Sequence, residues 1–116
     1  MKLCLPLEKN NLDSLLSVRF KEARYFLFIE DNYSRFKIIV APRKKERLPF
    51  LVTSNETEAI ITGNIDPEHF DFFKASGIKI YAGVFGITGR EAIRRFKNGE
   101  LEEIIDVPGA AKGRML

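Results

Sequence analysis

The sequence predicts an α/β fold, a mixed sheet of about five strands covered by helices. Three observations lead there. The C-terminal half runs β-α-β-α, which demands a parallel strand pair with a right-handed crossover. Nearer the start, two apolar segments meet at Asp31-Asn32, a tight-turn signal that demands an antiparallel pair. Finally, 116 residues with 45% hydrophobic side chains suffice for one core.

The elements follow in order. Lys2 to Pro6 reads as a short buried strand, and Asn10-Asn11-Leu12-Asp13-Ser14 as a loop whose side chains bond their own backbone. Arg24 to Glu30 is a second strand, through Tyr25-Phe26-Leu27-Phe28-Ile29. Tyr33 to Val40 is a third, with Phe36, Ile38 and Val40 alternating against Arg35, Lys37 and Ile39. A basic run, Arg43 to Arg47, precedes Leu48-Pro49-Phe50, where Pro49 suits the first turn of a short helix. Glu58 to Thr62 is a fourth strand, ended by Gly63-Asn64. Asp66-Pro67 starts a helix that Gly77 stops. Ile78 to Ala82 is a fifth strand, closed by Gly83. Thr88-Gly89-Arg90-Glu91 is a capping box opening the last helix, with Ala92, Ile93 and Phe96 as its apolar stripe and Gly99 as its stop. Glu100 to Val107 returns to the body. Residues 1–107 therefore form one domain, and 108–116 read as a flexible C-terminal tail.

Composition excludes several classes. The net charge of +3 is too small to indicate nucleic acid by itself. One cysteine, Cys4, forbids an internal disulfide and fits a reducing compartment. The apolar start is halted by Pro6 and Glu8, short of a signal peptide. No stretch approaches the ~20 apolar residues of a membrane span. The reading is a cytoplasmic protein, monomer or homodimer, without membrane or nucleic-acid partners.

No complete catalytic apparatus is visible, so an enzyme is not expected. The only soft or imidazole ligands are Cys4, inside a strand as a small core residue, and His69, one helical turn from Phe72 and Phe73. Asp13, Ser14 and Ser17 lie close in sequence without a nucleophile turn around them. Asp13, Asp31, Asp66 and Asp71 do not fall at matching strand positions, as two-metal nuclease chemistry requires. The loop Gly83 to Gly89 enters a helix N-terminus but lacks the ending of a P-loop. Arg90, Arg94 and Lys97 share a helix face, which reads as solvated with Glu91 paired to Arg95.

Topology places a ligand site instead. In α/β sheets ligands sit beyond the carboxyl ends of parallel strands. Those ends carry Asp13, Ser14, Ser17 and Arg19, the turn Thr62-Gly63-Asn64, and the loop from Gly83 to Gly86. Arg19 there favours an anionic ligand.

Several fragments also resemble a known family. Leu12-Asp13-Ser14, Ser17, Phe20, Ala23 and Tyr25-Phe26 are similar to the opening of the dinitrogenase iron–molybdenum cofactor biosynthesis family, nitrogenase accessory factors of the NifX and NafY kind. The resemblance resumes at Ala59-Ile60-Ile61-Thr62-Gly63 and continues through Ala75 to Gly83. It ends with Gly86, Glu91-Ala92-Ile93, Phe96 and Gly99-Glu100-Leu101. It implies a three-layer α/β/α, ribonuclease-H-like fold with a five-stranded mixed sheet. It also implies a non-catalytic carrier of iron–sulfur or iron–molybdenum cluster precursors, with cofactor-assembly or acceptor proteins as partners. Arg19 stands where many members carry His, and the segment between strands three and four is shortened to Pro42–Thr57. These departures support a second reading, an interaction or regulatory module that kept the fold without the cofactor.

Overall fold

The middle strand of the sheet is also the first in the chain. In a computed structural model, which describes residues 1–105, β1 (Lys2–Leu7) lies between β2 (Tyr25–Glu30) and β4 (Ala59–Ile61). β3 (Phe36–Val40) and β5 (Lys79–Tyr81) form the flanks, giving the order β3-β2-β1-β4-β5. β1 pairs antiparallel with β2 and parallel with β4, β2 pairs antiparallel with β3, and β4 pairs parallel with β5. The expected mixed five-stranded sheet is therefore present.

Its two faces are covered unequally. Strand side chains alternate between faces, so Cys4, Phe26, Phe28 and Ile60 point one way, with Leu3, Leu5, Leu27, Ile29 and Ile61 the other. The first face is covered by α1 (Leu48–Ser54) and α2 (Pro67–Ala75), through Leu48, Val52, Phe70 and Phe73. The second is covered by α3 (Gly89–Lys97), through Ala92 and Ile93. Burial of each of the larger side chains, Leu48, Val52, Phe70, Phe73 and Ile93, contributes about 1.5–3 kcal/mol. The result is three layers, with Cys4 wholly inside.

The helix starts obey their caps. Asp66 Oδ1 accepts from the His69 backbone N–H at 2.9 Å, and Thr88 Oγ1 accepts from the Glu91 N–H at 3.1 Å. The second half of the Thr88 capping box is missing, because the Glu91 carboxylate turns to Arg94 and Arg95.

The third strand is shorter than expected, starting at Phe36 and not at Tyr33. Asn32 Oδ1 accepts from the Ser34 N–H, Tyr33 adopts φ 63°, and Glu30 N–H reaches the Arg35 carbonyl at 2.9 Å. That side-chain turn lengthens the hairpin loop to residues 31–35. β4 and β5 are each trimmed to three residues. The expected return of the chain after Gly99 is seen at Ile104, whose N–H donates to the Ile80 carbonyl at 2.8 Å. The boundary at 107 and the tail 108–116 lie outside the described residues. Among the described residues, no helix is long and apolar enough to cross a membrane.

Candidate functional site

β1, β4 and β5 run parallel, so the segments leaving their carboxyl ends emerge on one side of the sheet. Backbone hydrogen bonds stitch those segments together. Asn64 N–H donates to the Val18 carbonyl at 2.7 Å, and Phe20 N–H donates to the Asn64 carbonyl at 2.9 Å. Gly83 N–H donates to the Gly63 carbonyl at 2.8 Å, and Val84 N–H to that of Thr62 at 3.1 Å. Leu16 N–H reaches the Ile87 carbonyl at 3.0 Å. Residues 16–20, 62–64 and 83–87 thus form one continuous junction.

Gly63 is its tightest point. A Cβ there would stand 2.4 Å from the Val18 carbonyl oxygen and 2.7 Å from the Phe85 ring. Only a glycine admits that approach. Gly83 and Gly86 turn the adjoining loop with φ of 85° and 73°, which favour glycine.

The predicted residues divide by what they touch. Ser14 is buried; its hydroxyl accepts from the Glu8 and Lys9 N–H groups at 3.1 and 2.8 Å and donates to the Leu15 carbonyl. Ser17, also buried, donates to the Arg19 carbonyl at 3.1 Å. Thr62 is buried beneath the turn, its hydroxyl 3.5 Å from the Asn64 carbonyl. Arg19, Asn64, Gly83 and Gly86 face outward at the junction. Arg19 has a side chain 63% exposed and only a loose contact with Glu22 at 3.8 Å, so its guanidinium is available to a ligand. Asp13 stands apart, exposed and accepting from Arg90 Nε at 3.0 Å near the start of α3.

Two hollows flank the junction. One, of about 430 Å³, is bordered by Lys9, Ser17, Arg19 and Arg24, with Glu8 and Glu22 also on its rim. The other, of about 230 Å³, lies between Asn64, Phe70, Gly83 and Ile104. Val18, on the rim of the first hollow, and Phe85 are each about half exposed. Sequence reasoning missed these two. Nothing marks Val18, whereas Phe85 could have been noticed as an aromatic inside a glycine-spaced loop. A hollow of about 570 Å³ beside Lys2, Tyr33 and Phe36 lies at the opposite end of β1, away from the junction.

Metal ligation by the chain's own side chains has little support. Cys4 is wholly buried, and burial pushes its thiol well above the usual range. His69 Nδ1 lies 2.6 Å from Asp66 Oδ2, and its ring packs against Phe20 and Phe73 with centroids 5.9 Å away. That matches the expected packing role. Burial raises the Asp66 carboxyl, but hydrogen bonds from the His69 ring and backbone outweigh it and leave the pKa lowered overall. Among the described residues, no three or more of His, Cys, Asp and Glu are grouped to hold a metal ion.

The basic helix face is largely compensated. Glu91 accepts from Arg94 at 2.6 Å and from Arg95 at 2.9 Å, while Arg90 is paired with Asp13. The expected Glu91–Arg95 pair is present, with Arg94 added. What the junction offers is therefore an accessible guanidinium, closely approachable backbone and exposed apolar surface. Such a set suits a compact anion that brings its own inner ligands.

Comparison with known proteins bears on the family and the fold. Residues 1–99 match the sequence profile described as dinitrogenase iron-molybdenum cofactor. No curated protein matches the chain in sequence. A solved NifB candidate from Thermotoga is 28% identical, with TM-score 0.76 over 88% of this chain and 91% of that one. A candidate dinitrogenase from Methanocaldococcus jannaschii is 27% identical, with TM-score 0.72 over 90% and 94%. The apo form of the orange protein from Desulfovibrio gigas shares the fold at TM-score 0.81 and 21% identity, over 89% and 92%.

Proposed function

The chain belongs to the dinitrogenase iron–molybdenum cofactor family, and we propose that it carries an anionic metal–sulfur cluster precursor, of iron–molybdenum or iron–sulfur type, without transforming it. The observation that carries this reading is the junction of three loops around Gly63, with Arg19 exposed beside it. The cluster is cargo. Its inner ligands are its own sulfides, since Cys4 is sealed in the core and no three of His, Cys, Asp and Glu are grouped to hold a metal among the described residues.

Each residue of the junction has a part in this proposal. Arg19 supplies positive charge and directional N–H donors to an anion. Asn64, Gly83 and Gly86 let the cargo approach backbone, while Gly63 lets Val18 and Phe85 close over the turn. Val18 and Phe85 shield one side from water. Ser14, Ser17 and Thr62 hold the loops in shape from beneath. Asp13 acts only indirectly, by tethering the first loop to Arg90. Non-covalent retention suits handover to cofactor-assembly or acceptor proteins, because no protein–metal bond must break on release.

Anaerobic titration with tetrathiomolybdate, and separately with a synthetic iron–sulfur cluster, tests this. Visible absorbance should co-elute with the protein, and the melting temperature should rise with ligand concentration. Arg19→Ala should weaken retention and reduce its dependence on salt, while Arg19→Lys retains part of it. An absent shift for the native chain, or an unchanged one for Arg19→Ala, overturns the assignment.

A further inference from the structure

The two flanks of the sheet differ. At β5 the outward carbonyl of Ile80 is taken by the Ile104 N–H, and Lys74 is held to Glu103 at 3.3 Å over the same return. At β3 no strand pairs with the outer edge among the described residues.

The hydrogen-bond phase of β3 is set by its ends. The Arg35 carbonyl accepts from Glu30 and the Ala41 N–H donates to Arg24, each at 2.9 Å. Odd-numbered positions therefore face β2, and Phe36, Ile38 and Val40 turn their N–H and C=O groups outward. Their side chains all stand on the face covered by α3, in register with Ile29, Leu27 and Tyr25. That helix covers them incompletely: Phe36 is 53% and Val40 68% exposed.

We propose that β3 pairs antiparallel with β3 of a second copy about a two-fold axis through Ile38. In this register Ile38 opposes Ile38 of the second copy, and Phe36 opposes Val40, so all three outward residues of both strands exchange hydrogen bonds. Symmetric pairings centred on Phe36 or Val40 run off the end of the strand. The charge pattern fits as well. Lys37 falls opposite Ile39 and Arg35 opposite Ala41, so no like charges stand directly across the join. On the α3 face, Phe36, Ile38 and Val40 of both copies make one unbroken apolar stripe.

Sedimentation equilibrium over a range of protein concentrations tests the pairing. The native chain should form a dimer. Ile38→Pro removes an outward N–H while leaving the bonds to β2, and should give a monomer with unchanged circular dichroism. Phe36→Asp/Val40→Asp sets carboxylates opposite each other and should raise the dimer dissociation constant at least about tenfold. Phe36→Lys/Val40→Asp sets opposite charges in the same positions and should bring dimerisation back. A native chain that stays monomeric overturns the proposal and leaves the edge to a strand from a different protein. A dimer that survives both Ile38→Pro and the double Asp variant overturns it too.

Discussion

The α-carbon of Gly63 lies so close beneath the carbonyl of Val18 that a Cβ would stand 2.4 Å from that oxygen. The Phe85 ring on the other side can swing away, but the Val18 carbonyl is held by the Asn64 N–H at 2.7 Å. Gly63→Ala should therefore destabilise the fold by about 1–3 kcal/mol, the usual cost of overpacking. Urea unfolding measures this; an alanine variant as stable as the native chain contradicts the close approach.

Ser14 was expected among ligand-contacting residues, yet its hydroxyl points inward. Ser14→Ala leaves the Lys9 N–H without its acceptor, whereas Glu8 N–H retains the Leu15 carbonyl at 3.2 Å. The expected loss is about 1–3 kcal/mol of stability. Below its melting temperature the variant should still retain tetrathiomolybdate as the native chain does. Lost retention in a fully folded Ser14→Ala would make the hydroxyl a ligand contact.

Cys4 should be inert in the folded chain. Burial keeps its thiol protonated and out of reach, so a chromogenic disulfide reagent should react only as the protein unfolds. Cys4→Val should cost less than about 1.5 kcal/mol and leave cluster retention intact. Rapid labelling of the native protein would show the first strand to be more open than described.

Glu91 links stability to acid pH. Hydrogen bonds from Arg94 and then Arg95 lower its pKa from an ordinary 4.5 to about 2. A carboxyl depressed by folding stabilises the folded state above its unfolded pKa and loses that contribution as pH falls through the folded value. Melting temperatures of the native chain should drop between about pH 4.5 and pH 2 more steeply than those of Glu91→Gln. Parallel curves for the two proteins would remove Glu91 from the acid response.

Much of this was readable in the sequence, for identifiable reasons. Helix starts at Asp66 and Thr88 depend on neighbours three residues away, so local pattern suffices. The gathering of the loops after β1, β4 and β5 at one end of the sheet followed from topology, since parallel strands send their loops to one side. The extent of β3 did not, because Asn32 bonds Ser34 and carries the loop past Tyr33. Nor did the division of the candidate residues into inward and outward sets. Whether Ser14 supports the loop or faces a ligand depends on the path of residues 8–16, which composition does not encode. The approach of Gly63 to Val18 joins distant segments, and no local signal announces it.

The Ile104 N–H on the Ile80 carbonyl limits how far the sheet can grow. A sheet open at both ends can add molecules without end and become a fibre. Here one margin is already occupied by the chain's own backbone, so joining through β3 would leave a ten-stranded sheet with its return segments at both outer borders. Growth would stop at two molecules. Loosening residues 100–105 should then do more than weaken the fold: it would turn a closed assembly into an extensible one.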